Sequence, residues 1–516
     1  MSSGAVQRAL LVWAAALGAC SSQAGSDGAT GGQGSGTGLG DGGPVDVSGG
    51  VPGGMTGSGG GAVAGGSRTA EAGGTVAGGS RAAGGAGQGS SDAGMAGQGG
   101  AWDGAVGGET GGLDGAGDPC GPGNPAVVPL PVIGAGTFDI TTYGAVGDGK
   151  TDNSKAIQAA LTAAGAAGGG TVSVPAGTFL SGPVVLASGT RLDLASGATL
   201  MMLPMASYGA ATPFITADHA HDIALTGSGT IDGQGQDWWT AFASDSSLSR
   251  PQEVSFSNSS RVQISGVRLQ NSPEEHIWVK GDTDVTITGI TIAALPVAGQ
   301  AEPKNTDGVD MNASGVFFCN NSIADGDDNV VMEGANIYVA YSTFGVGHGC
   351  SIGSITENGV VGVTVDHITM NGTTSGIRMK SARDRGGLVQ NLSYTNIAMS
   401  GVETPIDITS YYPTVPSSPT TDTAQAVTAT TPYWKDITIE NMTATGSTNG
   451  GVIWGLPEAK ITDVSFVNVR IEAKTGMEIF HATGVAFTAG STVTSASGAA
   501  VTIYDADVTG IATVAY

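Results

Sequence analysis

The feature that most limits what this chain can fold into is a series of short Val/Ile/Thr-rich segments that recur at similar spacing. Ser322-Ile323, Thr343-Phe344, His367-Ile368 and Asn396-Ile397 each close one segment, and their apolar positions follow one another at 21, 24 and 29 residues. A segment this short cannot bury its own apolar face, so successive segments must stack. The spacing suits one coil of a right-handed parallel β-helix with loops of varying length, the Asn and Ser beside the apolar positions stacking at the turns. A β-sandwich would show hairpin turn signals and clean two-residue alternation, and few of either occur. Further strands are expected at Thr171–Val174, Thr178–Leu180, Arg191–Leu194, Ile223–Thr226, Val262–Ile264 and Val285–Ile292. One segment reads convincingly as a helix: Asp152–Ala167, Ala-rich, apolar at Ile157 and Leu161, and stopped by Gly168-Gly169-Gly170. The expected fold class is all-β, a single-stranded right-handed parallel β-helix with an N-terminal helical cap.

This texture begins near Phe138; what precedes it is of another kind. Glycine supplies 89 of 516 residues, and its excess lies between Ser21 and Gly117. That stretch has almost no aromatic residues and no hydrophobic period, so it cannot offset the entropy of ordering. Residues 21–118 are therefore expected to be a disordered Gly-rich tether, with a reach on the order of 50 Å. Residues 1–20 read as an export signal, with Arg8 ahead of a short apolar stretch, Ala9–Leu17. Leu17-Gly18-Ala19-Cys20 resembles a bacterial lipobox, which implies lipidation at Cys20 and a lipid-anchored protein at the cell surface or outer membrane, or a secreted one. Residues 119–516 form the folded domain. It holds Cys120, Cys319 and Cys350, of which one pair can form a disulfide; the sequence does not say which. No run of 18 apolar residues exists, so no transmembrane helix is expected. With 44 Asp+Glu against 19 Lys+Arg, the net charge is −25. That excludes a nucleic-acid binder, which needs clustered basic residues. An anionic substrate would have to be held by local cations.

Aligning the segments brings polar residues together. Gly308-Val309-Asp310-Met311 matches Asn329-Val330-Val331-Met332 at an offset of 21, so Asp307 falls on Asp328. The same offset puts His348 beside Asp327 and Ser351-Ile352 beside Val330-Val331. The next coil sets Ile377-Arg378 beside Ile352-Gly353. Adjacent strands lie about 4.8 Å apart, so Asp307, Asp327, Asp328, His348, Arg378 and Lys380 would form one patch. Asp327 and Asp328 can share it only if the chain turns, which Gly326 permits. Carboxylates so close cannot all ionise cheaply, and at least one pKa should rise. A protonated acid beside an ionised base is what glycoside hydrolysis needs. Arg378 can grip a sugar carboxylate with two hydrogen bonds, and Lys380 adds a point charge.

The same residues resemble those of the pectin-degrading polygalacturonases, glycoside hydrolase family 28. The motifs are Asn305-Thr306-Asp307-Gly308, Gly326-Asp327-Asp328, Gly347-His348-Gly349 and Arg378-Met379-Lys380, in that order, after Tyr143-Gly144-Ala145-Val146-Gly147-Asp148-Gly149. The likeness runs from about Phe138 to the C-terminus, and its pattern is most similar to bacterial endo-acting members. It implies inverting hydrolysis of α-1,4-linked galacturonic acid in pectin, with no cofactor, no metal and a monomeric enzyme. By position it implies Asp327 as general acid, Asp307 and Asp328 as the carboxylates that activate water, and His348 as the residue that tunes the acid. Asn305, Arg378, Lys380 and Tyr412 match substrate-contacting positions, with Tyr411 an alternative to Tyr412.

Two rival readings share the fold: a Ca²⁺-dependent β-helical pectate lyase, and a non-catalytic glycan-binding surface β-helix. The presence of His348 and the order of the motifs favour the hydrolase. Elsewhere, Trp238-Trp239 reads as loop packing rather than a sugar platform. His276 and Trp278 could line a cleft or fill the core. His219 and His221 have metal-ligand spacing but no third ligand. The coils from Asp436 to Val508 read as structural.

Overall fold

The structure, a computed structural model, describes residues 118–516. The expected signal peptide, the lipidation site Cys20 and the Gly-rich tether lie outside the described residues. No described helix is long and apolar enough to cross a membrane.

Residues 136–515 contribute twenty-eight strands to one continuous sheet, and the pairings between them are parallel, as a solenoid requires. Because each strand alternates sides, one set of apolar residues points into the coil interior and stacks from coil to coil. One such stack runs Phe138, Val172, Leu192, Leu225, Ile264, Ile287, Phe318, Val339 and Val365. A second runs Ile215, Val254, Ile277, Val309, Val330, Cys350, Ile377 and Ile406, all fully buried. At about 25 cal/mol per Å² of buried apolar surface, these stacks supply the main drive to fold. The turns between strands need left-handed backbone, which Asn, Asp and Gly adopt most readily. One turn column accordingly holds Asp284, Gly315, Asn336, Gly362, Asn391, Asp436 and Asp463, with φ between 55° and 71°. A second carries a side-chain ladder, in which the Asn441 amide donates to Asn396 and that of Asn468 to Asn441.

The expected cap is present as the helix Ser154–Ala166. It lays Ile157, Ala160, Leu161 and Ala164 on the first coils, closing the apolar end of the solenoid. Two further helices, Met205–Tyr208 and Gln236–Ser244, were not expected. The second buries Trp238 edge-on against Tyr208, while Trp239 Nε1 donates to the Ser272 carbonyl. Both tryptophans therefore pack a loop. Val285–Ile292 is two strands broken at Gly289, whose φ is +66°.

The expected register needs three corrections. Ile368 pairs with Ser342, and Phe344 with Met370. Val330-Val331 pairs with Cys350-Ser351, not with Ser351-Ile352. Cys350-Ser351 in turn pairs with Ile377-Arg378. A one-residue slip would turn Ser351 into the core and Cys350 and Ile352 outward, so burial of the apolar pair decides the register. The offset of 21 between Val309-Asp310-Met311 and Val330-Val331-Met332 holds as expected.

Cys120 and Cys319 form the disulfide. It pins the segment 118–128 onto Phe317, Ala340 and Tyr338. Cys350 is a free thiol inside the second stack, and burial pushes it well up.

Candidate active site

Three consecutive turns, each just before a strand of one face, carry the polar cluster. In the first, Asn305 is left-handed at φ 56°. Buried Thr306 donates to the Pro303 carbonyl at 2.7 Å and accepts from Gly326 N at 3.0 Å, tying the first turn to the second. Gly326 is required: a Cβ there would stand 1.9 Å from the Pro303 carbonyl oxygen. The backbone bends at Gly326-Asp327, which lets Asp327 and Asp328 reach the same side. The buried Asp325 carboxylate accepts from Asp327 N at 3.2 Å. The third turn is held by Asn329, whose amide donates to the Val346 carbonyl at 3.0 Å and accepts from Gly349 N at 2.9 Å. His348 N then donates to the Asp327 carbonyl at 2.6 Å.

The side chains converge. His348 Nδ1 lies 3.0 Å from Asp327 Oδ1. Asp328 is almost fully buried and accepts from Arg378 Nη1 at 2.7 Å, Ser351 Oγ at 2.5 Å and Lys380 Nζ at 2.6 Å. Arg378 Nη1 also lies 3.1 Å from His348 Nδ1. Asn305 Nδ2 donates to Asp327 Oδ2 at 3.3 Å. Lys380 Nζ sits 5.4 Å from the centre of the Tyr412 ring. Tyr411 is committed elsewhere, packed on Trp454 with its hydroxyl 2.5 Å from Asp422. Of the two tyrosines, Tyr412 is the one at the cluster.

Charge is divided unevenly among the carboxylates. Asp307 is held well above the usual range by loss of hydration and by Asp310, Asp327 and Asp328. Asp310 is raised in the same way, by burial, Glu275 and Asp328. For Asp327, burial acts upward but loses to the His348 hydrogen bond and the charges of His348, Lys380 and Arg378, so its pKa falls. The expected rise is therefore found, but on Asp307 and not on the residue expected to act as acid. Asp407, one coil beyond Arg378, is raised by burial despite that arginine.

Sequence reasoning missed several contributors. Asp310 and Ser351 share the outward row that includes Trp278, Val331 and Arg378, and strand parity could have shown it. Arg250 gave no local signal. It is buried, donates to the carbonyls of Pro273 and Lys304 at 2.9 and 2.6 Å and to Asn305 Oδ1 at 3.1 Å, and stacks 3.8 Å from Phe242. His276 is fully buried, and burial lowers it to about 4; it belongs to the core. Trp278 instead points outward, 4.9 Å from Lys280 Nζ. His219 and His221 each pair with a neighbouring aspartate, at 2.9 and 2.8 Å.

Among the described residues, one group has metal-like geometry: Asp327, Asp328 and His348, with ligand atoms within 4.8 Å of one another. The donor set fits a cation poorly, because Arg378 and Lys380 already occupy both oxygens of Asp328 and would repel a metal ion.

The sequence model of "Glycosyl hydrolases family 28" matches residues 166–492, more than half of the chain. The chain is 33% identical over 377 residues to an endo-polygalacturonase of Pectobacterium carotovorum subsp. carotovorum, covering 65% of this chain and 88% of the relative. Among solved structures, the polygalacturonase from Erwinia carotovora ssp. carotovora is similar with TM-score 0.53 and 28% identity, over 74% of this chain and 98% of the other. An exopolygalacturonase from Thermotoga maritima shares the fold with TM-score 0.57 at 20% identity, over 74% and 94% of the two chains. The extent of these matches, over the very residues that build the cluster, shows that the chain belongs to glycosyl hydrolases family 28.

Proposed function

We propose that the protein hydrolyses the α-1,4 bonds of galacturonic acid polymers in pectin, as an inverting and endo-acting polygalacturonase. The observation that carries this reading is the convergence of Asp327, Asp328, His348, Arg378 and Lys380 from consecutive coils within hydrogen-bond distance. In this reading Asp327 gives a proton to the leaving sugar oxygen, and Asp307 with Asp328 orients and activates water on the other side. Arg378, Lys380, Asn305 and Tyr412 hold the sugar acid.

The low pKa of Asp327 in the free protein fits this scheme once substrate is added. A sugar carboxylate on Arg378 and Lys380 cancels part of the positive charge that holds Asp327 down, and displaces water from it. Both effects favour its protonated form. Substrate would thus prepare its own acid.

Endo action is supported by the long outward row, which continues past Arg378 through Asp407, Val452, Glu478 and Thr502. Export through the N-terminal signal, lipid anchoring at Cys20, the Gly-rich tether and a monomeric state complete the proposal. Replacing Cys20 by Ala should release the protein from membranes and abolish labelling by a radioactive fatty acid.

The decisive assay is reducing-end release from polygalacturonic acid, with and without EDTA, by the protein and its Asp327→Asn variant. Hydrolysis predicts chelator-insensitive activity, no ultraviolet-absorbing product, and loss by orders of magnitude in the variant. An unsaturated product that disappears on chelation would mean a lyase. Viscosity falling well ahead of reducing-end release marks endo action.

A further inference from the structure

On the strands that carry the cluster lies a cavity that the reaction scheme does not use. Its volume is about 530 Å³, within the range of small-ligand sites. It opens partway along three neighbouring strands, at Gly281, Ala313 and Gly334, and its far wall is the segment Ile355–Val361 with Leu388. Ile355, Val361 and Leu388 leave apolar surface exposed to solvent. Its floor carries Asn312 and Glu333, two members of the outward row that also contains Lys280. Continuing the register by two residues sets Gly353, which has no side chain, between Glu333 and Lys380. The floor of the cavity thus lies on the same row as Lys380, two coils from it.

Its charge is the opposite of theirs. Two carboxyl groups, Asp282 and Glu333, line the cavity, and no lysine or arginine does. Asp282 is spoken for, accepting from the backbone of Ser259 and Lys280 at 2.7 and 2.8 Å. Glu333 is not: its carboxylate has only the Asn312 amide at 3.4 Å and joins no ion pair among the described residues. The lysines of its row, Lys280 and Lys380, stand two coils away on either side, about 10 Å at the usual strand spacing.

We propose that this cavity receives a methyl-esterified galacturonic acid unit of the pectin chain, and that Glu333 rejects the free acid there. The reading of the site as a polygalacturonase underlies this inference. A methyl ester is uncharged, meets the apolar wall with its methyl group, and accepts a hydrogen bond from the Asn312 amide. A free carboxylate in the same place meets the carboxylate of Glu333 with no cation lining the cavity, the nearest lysines of the row standing two coils away. Burial raises Glu333 to about 7 against the opposing pull of Asn312, Lys380 and Lys280. Discrimination should therefore strengthen as pH rises through about 7.

The test is the ratio of kcat/KM on highly methyl-esterified pectin to that on polygalacturonic acid, measured from pH 5 to 8 with the full chain. Both substrates share the catalytic residues, so their titration cancels in the ratio. The ratio should rise with pH in the native protein. In Glu333→Gln it should be flat and several-fold lower at pH 8. Leu388→Lys, at an exposed position of the wall, should also lower it, without disturbing the sheet. A ratio that is the same in the native protein and in both variants at every pH overturns the proposal. Absence of reducing-end release from either polymer by the native protein would instead sink the hydrolase reading itself.

Discussion

The ammonium of Lys380 lies 2.6 Å from Asp328 Oδ2, and both side chains are nearly inaccessible to solvent. This is a buried ion pair, and removing one partner leaves a charge without compensation. Arg378 and Ser351 remain on the other oxygen of Asp328. Lys380→Met should therefore cost near the lower end of the ~3–5 kcal/mol typical of broken buried pairs, read as a fall in the denaturation midpoint. Adding Asp328→Asn should restore much of that stability and none of the activity. If the double variant were as unstable as the single one, the pair would not be the source of the loss.

Asp310 is raised by burial and by neighbouring carboxylates, and its Oδ1 has no hydrogen-bond partner. A carboxyl whose folded pKa lies above its unfolded value destabilises the fold as pH climbs from the unfolded pKa through the folded one. Asp310→Asn should raise Tm at pH 7 and leave it unchanged near pH 3. Asp310 is also the largest charge acting on Asp307. Its removal should let Asp307 ionise at lower pH and move the acidic limb of kcat/KM to more acid values. A limb that stays in place would mean that Asp307 does not govern it.

Asp327 gives the opposite sign. Its folded pKa is depressed, so the stability it contributes is present above the unfolded value near 3.8 and is lost as pH falls through the folded one. His348 supplies the first of the lowering effects, at 3.0 Å. His348→Gln should erase this acid-side stability, narrowing the Tm difference between the two proteins as pH drops below about 4. In the same variant kcat should fall by about 10²–10³-fold, the scale of a lost catalytic hydrogen bond. Equal Tm differences at pH 6 and pH 3 would contradict the coupling.

How much of this was legible beforehand follows from the range of each signal. The second buried stack is written in the sequence as apolar residues at recurring spacing, and the four motifs occupy consecutive coils, so both the β-helix and most of the cluster were within reach. The register at Cys350 was not, because the turn Gly347-His348-Gly349 is one residue tighter than the preceding repeat suggests. Spacing alone cannot tell Val330 over Cys350 from Val330 over Ser351. The helix Gln236–Ser244 was hidden because its order comes from burying Trp238 and Trp239, not from helical propensity. The division of charge between Asp307 and Asp327 depends on hydration and on a histidine at 3.0 Å, which have no signature in the chain.

Cys120 and Cys319, 199 residues apart, close a loop that spans the helical cap, the coils before the site and the first of the three turns that build it. Cross-linking so long a loop restricts the unfolded chain, with a typical stabilisation of about 2–4 kcal/mol. The bond also holds segment 118–128, whose Ala126, Val127 and Val128 pack on Phe317, Cys319 and Ala340. Cys120→Ser should lower the unfolding midpoint while leaving kcat and KM on polygalacturonic acid unchanged, since nothing in the segment touches Asp327 or Arg378. Limited proteolysis should then cut the variant first near residues 118–128.

Arg250 is the residue whose role the sequence least announces. Its guanidinium fixes the Asn305 amide by donating to Oδ1 at 3.1 Å, which leaves Nδ2 facing Asp327 Oδ2 at 3.3 Å. Two more of its hydrogen bonds clamp Pro273 and Lys304, so the turn bearing Asn305 cannot rotate freely. Burial lowers the guanidinium pKa only against several carboxylates, so it stays charged over the working range. Arg250 is thus a positioning residue that acts on the proposed acid through Asn305. Arg250→Lys keeps the charge and loses the fork that grips Asn305 and both carbonyls. The variant should show a kcat lower by about 10–100-fold, the cost of a misplaced catalytic group, with a smaller change in KM. The acidic limb of its pH profile should also move, because Asp327 loses a donor. Asn305→Ala should reproduce that shift, and adding Arg250→Lys to it should produce no further one. Additive shifts in the double variant would show that Arg250 reaches Asp327 by some other route.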